Sequence, residues 1–269
     1  MSVGPFESVG WTPNVSWYDQ RHYIKTAVFD ASFAKCTSLT STAYWFDDCY
    51  NLTTITGTEY LKTDNVTDMR NMFNGCTILL NVDVSGFNTS SVTNMRHMFL
   101  GCYNLKNLDV SGFDTSNVTD MGGMFGNCSS LTSLDLRNFD TSNVKNMYNM
   151  FLWCSALTSL DLSSFKTDNV TIMYSMFRQC SSLTSLDLSG FNTTSVTNMS
   201  EMFENCSNLK NLNIETFNTD NVEYMDGMFS GCSSLTNLDV SGFNTDNVEY
   251  MDGMFSGCSS LTNLDVSGF

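Results

Sequence analysis

Residues 87–112 read FNTSSVTNMRHMFLGCYNLKNLDVSG and are one copy of a 26-residue unit that recurs to the end of the chain at Phe269. A cysteine and a phenylalanine mark the period, because each returns at the same phase of every unit. The cysteines are Cys76, Cys102, Cys128, Cys154, Cys180, Cys206, Cys232 and Cys258, and the phenylalanines are Phe87, Phe113, Phe139, Phe165, Phe191, Phe217, Phe243 and Phe269. A fixed period of this length is typical of a solenoid, in which each unit packs on its neighbours. The sequence therefore predicts one elongated repeat domain.

The two halves of the unit have different apolar spacings. Five apolar residues within 92–102 recur at i, i+3, i+6, i+7 and i+10, which is the spacing of one buried stripe on a helix. Thr89 and Ser90 precede this segment as N-caps, and Gly101 lies near its end. Residues 105–110 alternate with a period of two, as a short strand does. We therefore predict an α/β repeat of strand-plus-short-helix units whose strands form a parallel ribbon.

The repeat motif also resembles a known family. The wording F-N/D-T-S/D-x-V-x-x-M-x-x-M-F-x-x-C-x-x-L-x-x-L-D-V/L-S resembles the BspA-type leucine-rich-repeat surface proteins of bacteria, including a mycoplasma-like branch of unknown function. The resemblance covers residues 27–269 and implies a leucine-rich-repeat solenoid. It further implies an extracellular or cell-surface location and a role in adhesion or in binding host or matrix components. It implies no catalytic residues.

Domain boundaries follow from where the unit is recognisable. Residues 1–26 are irregular and contain Trp11 and Trp17, so we expect them to cap the first rung, with an aromatic ligand platform as the alternative. Residues 27–62 are degenerate first repeats, and residues 63–269 are about eight regular repeats.

No polar segment closes the last unit after Phe269, although solenoids usually end in one. The last two units, residues 218–243 and 244–269, are identical, which indicates a recent duplication or a design. We expect this apolar end to contact a downstream segment or a second chain.

Composition restricts the partners. The chain has 28 Asp and Glu against 12 Lys and Arg, a formal net charge of −16, which disfavours nucleic acid and anionic membrane surfaces. No apolar run approaches the roughly 20 residues of a membrane helix, so no membrane insertion is expected. The first residues, MSVGPFESVG, lack the basic and apolar parts of an export signal. We therefore expect either that the protein stays inside the cell or that an export signal has been removed.

The ten cysteines could form disulfides or hold a metal. Eight of them recur at one phase of the apolar stripe, where a thiol behaves as a small hydrophobic side chain. The repeated methionines, such as Met95 and Met98, lie on the same stripe and are expected to fill the core and not to bind a soft metal. We therefore predict buried free thiols and no cofactor.

Each predicted strand carries a polar residue that points away from the core. Adjacent rungs would hold like charges about 5 Å apart, which costs stability unless solvent or cations screen them. The set is Asp83, Asp109, Asp135, Asp161, Asp187, Asp239 and Asp265, with Asn107, Ser133, Ser159 and Ser185 two residues earlier on the same face. Three interpretations remain open, namely a solvated face that prevents aggregation, a binding surface for a protein or a glycan, and a calcium site.

The outer face of the predicted helix is the alternative surface. Residues there differ between copies while the flanking methionines do not, so the scaffold does not dictate them. Tyr148, Trp153 and Tyr174 form the best aromatic cluster for a partner, and neutral drift is the other explanation.

Catalysis is not expected. The two histidines, His22 and His97, lie in unrelated places, and the carboxylates repeat in every rung whereas an active site is a unique constellation. The sequence therefore predicts a bacterial surface protein that binds a macromolecule through its strand face. A structural spacer or fibre subunit that binds nothing is the alternative.

Overall fold

Successive units of the chain stack as parallel rungs. The computed structural model describes residues 17–269 and contains four short strands: β1 (Thr26–Val28), β2 (Thr54–Thr56), β3 (Ser185–Asp187) and β4 (Asn211–Asn213). β1 pairs with β2 and β3 with β4, both in parallel. Three 3₁₀ helices accompany them: η1 (Tyr18–Tyr23), η2 (Ala31–Lys35) and η3 (Thr58–Tyr60). The predicted leucine-rich-repeat solenoid with parallel strands is confirmed, although the strands are shorter than the predicted ribbon.

A second ladder of parallel backbone pairing, which the sequence did not reveal, joins the residues that immediately precede the first methionine of each unit. It consists of single-residue parallel bridges that begin at Ser41 and continue through Asp68, Asn94, Asp120, Asn146, Ile172, Asn198, Tyr224 and Tyr250. On the strand side, one further bridge joins Asn81 to Asn107. Backbone pairing therefore holds neighbouring rungs together on two sides of the solenoid.

The predicted short helix is wrong. Residues 95–102 form consecutive turns in which Met98 N–H donates to Met95 O, and Cys102 N–H to Phe99 O, both at 3.2 Å. Every second N–H group of the segment donates to a carbonyl of the next rung. Met95 N–H donates to Asp120 O at 3.0 Å, and Phe99 N–H donates to Met124 O at 2.9 Å. In an α-helix each N–H would bond four residues back within its own segment. The turn segment thus gives half of its donors to the next rung.

Left-handed backbone at two positions of each turn segment explains this geometry. His97 has a φ of 57° and Gly101 a φ of 74°, and equivalent residues of the other regular units also have positive φ. Glycine or asparagine stands at both positions in several copies, as at Gly227 and Gly231. Since those residues adopt positive φ most readily, they were the sequence signal against a helix.

The core contains the residues that the repeat predicts. Phenylalanines of the turn segments stack from rung to rung, with ring centroids between 5.5 and 6.0 Å apart from Phe46 to Phe255. The paired methionines, the strand leucines and the second phenylalanine of each unit pack around this stack. Packing of methionine in the core is confirmed.

The cysteines form a ladder of buried thiols. Eight of the ten are buried and all ten are free. From Cys76 to Cys258, each thiol donates to a carbonyl of the preceding rung, as Cys154 Sγ does to Phe125 O at 3.1 Å. Burial raises the pKa of the Cys102 and Cys154 thiols to about 12. The predicted burial is confirmed for seven of the eight cysteines at the repeated phase, and Cys258 in the last unit is only partly buried.

Thiol labelling checks this arrangement. Cys36 and Cys258 are only partly buried, so a thiol reagent at about pH 8 should label Cys36 and, more slowly, Cys258 in the native protein. The eight buried thiols should react only after unfolding in urea, and Cys36→Ala should remove the fastest phase. Rapid labelling of all ten cysteines without urea would contradict the buried ladder.

A buried threonine ladder replaces the predicted N-caps. Thr141 is fully buried; its Oγ1 donates to Lys166 O at 2.8 Å and accepts from Lys166 N–H at 2.8 Å. The same exchange with the next rung occurs at Thr63, Thr89, Thr115, Thr167, Thr193 and Thr219. Thr89 is therefore a link between rungs and not the cap of a helix.

Part of the predicted N-terminal cap can be described. Residues 1–16, including Trp11, lie outside the described part of the chain. Trp17 donates its indole N–H to Trp45 O at 2.6 Å and packs edge-on against the Trp45 ring, with centroids 6.0 Å apart. Phe29 and Phe33 add to this aromatic group. The boundary at residue 26 stays a prediction.

Candidate functional site

The strand face is the row of exposed side chains at Asp83, Asp109, Asp135, Asp161, Asp187, Asp239 and Asp265, with Asn107, Ser133, Ser159 and Ser185 beside them. Each aspartate accepts the backbone N–H of the residue two positions on; Asp109 Oδ1, for example, accepts Ser111 N–H at 3.0 Å and the Ser111 hydroxyl at 2.6 Å. This is an Asx turn, and it ends each strand segment. The aspartates thus have a structural role, which is to form the turn after each strand segment. Packing of the core alone gave no reason to expect it.

The Asx turns also keep the carboxylates ionised. Hydrogen bonds from the side chain and backbone of Ser111 lower the pKa of Asp109, and Ser85 does the same for Asp83. The neighbouring carboxylate raises the pKa in both cases, but the hydrogen bonds outweigh it. The strand face therefore presents negative charges in fixed positions at neutral pH.

Arg137 is a member of this surface that the sequence did not single out. Its guanidinium binds Asp135 with two hydrogen bonds, of 2.9 and 2.7 Å, and its backbone N–H adds a third of 3.1 Å. These contacts lower the pKa of Asp135 to about 2. The hint in the sequence was that Arg137 stands where all other regular units except that of Glu215 have serine.

The regular acidic row is interrupted between β3 and β4. Asn213 stands where the other units have aspartate, and a hydrogen bond from it helps to lower the pKa of Asp187 in the preceding rung. Asn213 Oδ1 accepts Glu215 N–H at 3.3 Å, so asparagine makes the same turn. A depression of about 340 Å³ lies here, lined by Ser185, Asp187, Lys210, Asn211, Leu212 and Asn213.

The aromatic patch lies on the turn segments and not on a helix. Tyr148 spans two rungs, and its hydroxyl lies 2.7 Å from His97 Nε2. The rung between them carries Gly122, where a Cβ would lie 2.4 Å from the Tyr148 ring, so only glycine permits this contact. Burial, with help from Arg96, lowers the pKa of His97 to about 4. The Tyr148 side chain is therefore fixed by its contact with His97 of the same chain.

Trp153 and Tyr174 do not join Tyr148 in a cluster. Within residues 17–269 no ring contact links these three side chains. Trp153 is 46% exposed and has a φ of 57°, at a position where Gly231 stands in a later unit. Tyr174 is partly buried. The structure thus divides the predicted aromatic patch into separate side chains.

Two further features of residues 17–269 bear on the expected partners. No group of three or more His, Cys, Asp or Glu side chains in this part of the chain is placed to hold a metal ion. None of its helices has the length and apolar character needed to cross a membrane. His22 stacks on Tyr50 with centroids 4.8 Å apart, far along the sequence from the His97 contact.

Parallel rungs, a repeating strand face and a shared core define a leucine-rich-repeat solenoid, and family comparison assigns the chain within that class. The family described as Mycoplasma protein of unknown function, DUF285, matches residues 40–135, 105–186, 125–211 and 183–269. The chain belongs to this family, which confirms the resemblance of its motif to the mycoplasma-like repeat branch. A comparison with curated proteins returned no significant match.

Several solved structures are similar to this chain. A leucine-rich repeat protein from Bacteroides ovatus is 20% identical with a TM-score of 0.45, over 91% of this chain and 67% of that chain. A leucine-rich repeat protein of T. pallidum is 21% identical with a TM-score of 0.36, over 74% and 71% of the two chains. A leucine rich cell surface protein from Faecalibacterium prausnitzii is 15% identical with a TM-score of 0.33, over 99% and 87%.

Proposed function

We propose that this repeat scaffold binds a macromolecule, a host or matrix protein or a glycan, through its strand face. The observation that supports the proposal is the exposed row of carboxylates that the Asx turns hold in place in successive rungs, with amides and hydroxyls beside it. Side chains that are already oriented lose little conformational entropy when a ligand binds. Weak contacts in several rungs would add up as one multivalent surface.

A location at the bacterial cell surface or outside the cell is part of this proposal. It rests on the resemblance of the repeat motif to surface proteins. The acidic surface, with a net charge of −16, argues for protein or neutral glycan partners over nucleic acid. We propose no catalytic activity, since the carboxylates recur at the same position in seven of the eight regular rungs, whereas an active site is a unique constellation.

Charge reversal on the strand face tests the proposal. The purified chain is screened against an array of matrix proteins and glycans, and binding of the best ligand is measured for the double variant Asp135→Lys and Asp161→Lys. We expect affinity to fall by at least about tenfold, because lysine removes the acceptor oxygens and reverses the charge. Trp153→Ala and Tyr174→Ala are the matched controls on the turn segments and should bind normally. Unchanged binding after charge reversal would remove the strand face from consideration.

A spacer is the alternative function, and the continuous bonding between rungs, which makes the solenoid stiff, is the observation that favours it. Deleting two consecutive units in register separates the two functions. A binding surface should lose affinity with each unit removed, whereas a spacer would keep its activity at a shorter reach.

A further inference from the structure

We infer that the depression between β3 and β4 binds an uncharged sugar unit of a neutral glycan. This inference rests on the proposed function of the strand face and names its ligand class. The depression measures about 340 Å³, at the small end of the range for ligand sites and the size of one or two sugar units.

The charges of the depression favour a neutral ligand. Among the residues that line the depression, Asp187 and Lys210 have opposite formal charges, and Asn213 replaces the aspartate of the other units. The site is therefore locally neutral, in contrast to the aspartates on either side of it, Asp161 and Asp239. A basic peptide would meet Lys210 here, and an anionic glycan would be repelled by the flanking aspartates.

The hydrogen-bonding groups match sugar hydroxyls. Sugar hydroxyls donate and accept, and so do the side-chain amides of Asn211, Asn213 and Asn237, which all line the depression. The Ser185 hydroxyl also donates and accepts, and the Asp187 carboxylate accepts. Adjacent rungs place such groups about 5 Å apart, which suits neighbouring hydroxyls of one ligand.

The floor of the depression offers apolar surface as well. Leu212 is only partly buried, whereas the leucines of the same register in the adjacent rungs, Leu186 and Leu238, are 3% and 8% exposed. A pyranose ring carries an apolar C–H face beside its hydroxyls, and the exposed part of Leu212 can pack against it. The depression therefore offers both the polar groups and the apolar surface that a sugar ring can contact.

The test uses neutral disaccharides, namely maltose, cellobiose, lactose and chitobiose, with sialyllactose and an oligolysine peptide as charged comparisons. Saturation-transfer NMR with the full chain should show binding of at least one neutral disaccharide and not of sialyllactose. Asn211→Ala should weaken that binding about three- to tenfold, because one or two hydrogen bonds are lost. Trp153→Ala is the control, because Trp153 is exposed on the turn segments and lies outside the strand face, and it should leave binding unchanged.

The outcomes separate this inference from the proposed function. No transfer to any neutral disaccharide, or equal binding by Asn211→Ala and the unaltered chain, overturns the inference. Binding of oligolysine that is lost in Asn211→Ala also overturns it, in favour of a basic peptide ligand. If an array ligand depends on Asp135 and Asp161 but not on Asn211, the strand face remains the binding surface and only the sugar site is wrong.

Removal of charge alone gives a second readout. In the double variant Asp135→Asn and Asp161→Asn, the amide oxygens can keep the Asx turns, as Asn213 does in its own unit. A neutral glycan should bind this variant within about threefold of the unaltered chain, because acceptors remain. A loss of tenfold or more, removed by raising the salt concentration, would show a cationic ligand and contradict the inference.

Discussion

Phe151→Ala should lower the free energy of unfolding by about 3–5 kcal/mol, the usual cost of deleting a buried ring. Phe151 is fully buried and stacks on Phe125 and Phe177 at 5.9 and 5.6 Å. Because each rung touches mainly its neighbours, the cavity would interrupt the stack in the middle of the array. Urea denaturation followed by circular dichroism measures the change.

Phe255→Ala is the matched control for this variant. Phe255 occupies the same phase of the unit but is only partly buried, so its loss should cost clearly less. Equal destabilisation by the two variants would mean that the stacked rings do not determine the stability of the array.

Thr141→Val should cost about 2 kcal/mol, although valine has nearly the shape of threonine. The variant removes the hydroxyl that both donates to Lys166 O and accepts from Lys166 N–H, and leaves two backbone groups of the next rung without that partner. Thr141→Ser keeps the hydroxyl and loses only a methyl group, so it should cost less than about 1 kcal/mol. Urea denaturation of both variants compares the two costs.

An equal effect of valine and serine at position 141 would contradict the role of the threonine ladder. Hydrogen exchange gives an independent check, since the Lys166 amide should exchange faster in Thr141→Val and at the normal rate in Thr141→Ser. If the buried methyl group were what matters, Thr141→Ser would be more destabilising than Thr141→Val.

The period of the sequence was sufficient to predict the solenoid, the core and the buried thiols, because every unit repeats the same apolar phases. It was not sufficient to separate a helix from a series of turns. Turns closed by hydrogen bonds three residues back place Met95, Met98 and Cys102 in the core. Their spacings of three and four residues match one side of a helix. The difference lies in the backbone, and its sequence signal was glycine or asparagine at the positions of His97 and Gly101.

The candidate site was predicted in part. The exposed strand aspartates and their neighbours lie where the alternating pattern places them. Their Asx turns and the ion pair of Arg137 with Asp135 join residues two positions apart, and they depend on a local backbone conformation that the alternating pattern does not specify. The depression at Asn213 depends on contacts between rungs. Such contacts are not visible in a single unit, and neither is the bond from Tyr148 to His97 across Gly122.

Hydrogen exchange with and without the array ligand tests the binding surface most directly. Peptides that cover residues 105–110, 131–136, 157–162 and 183–188 report on the strand face, and those that cover 148–153 report on the turn segments. We predict that the ligand slows exchange in several of the strand peptides and leaves residues 148–153 unchanged. Slower exchange at Tyr148 and Trp153, with no change in the strand peptides, would contradict binding through the strand face.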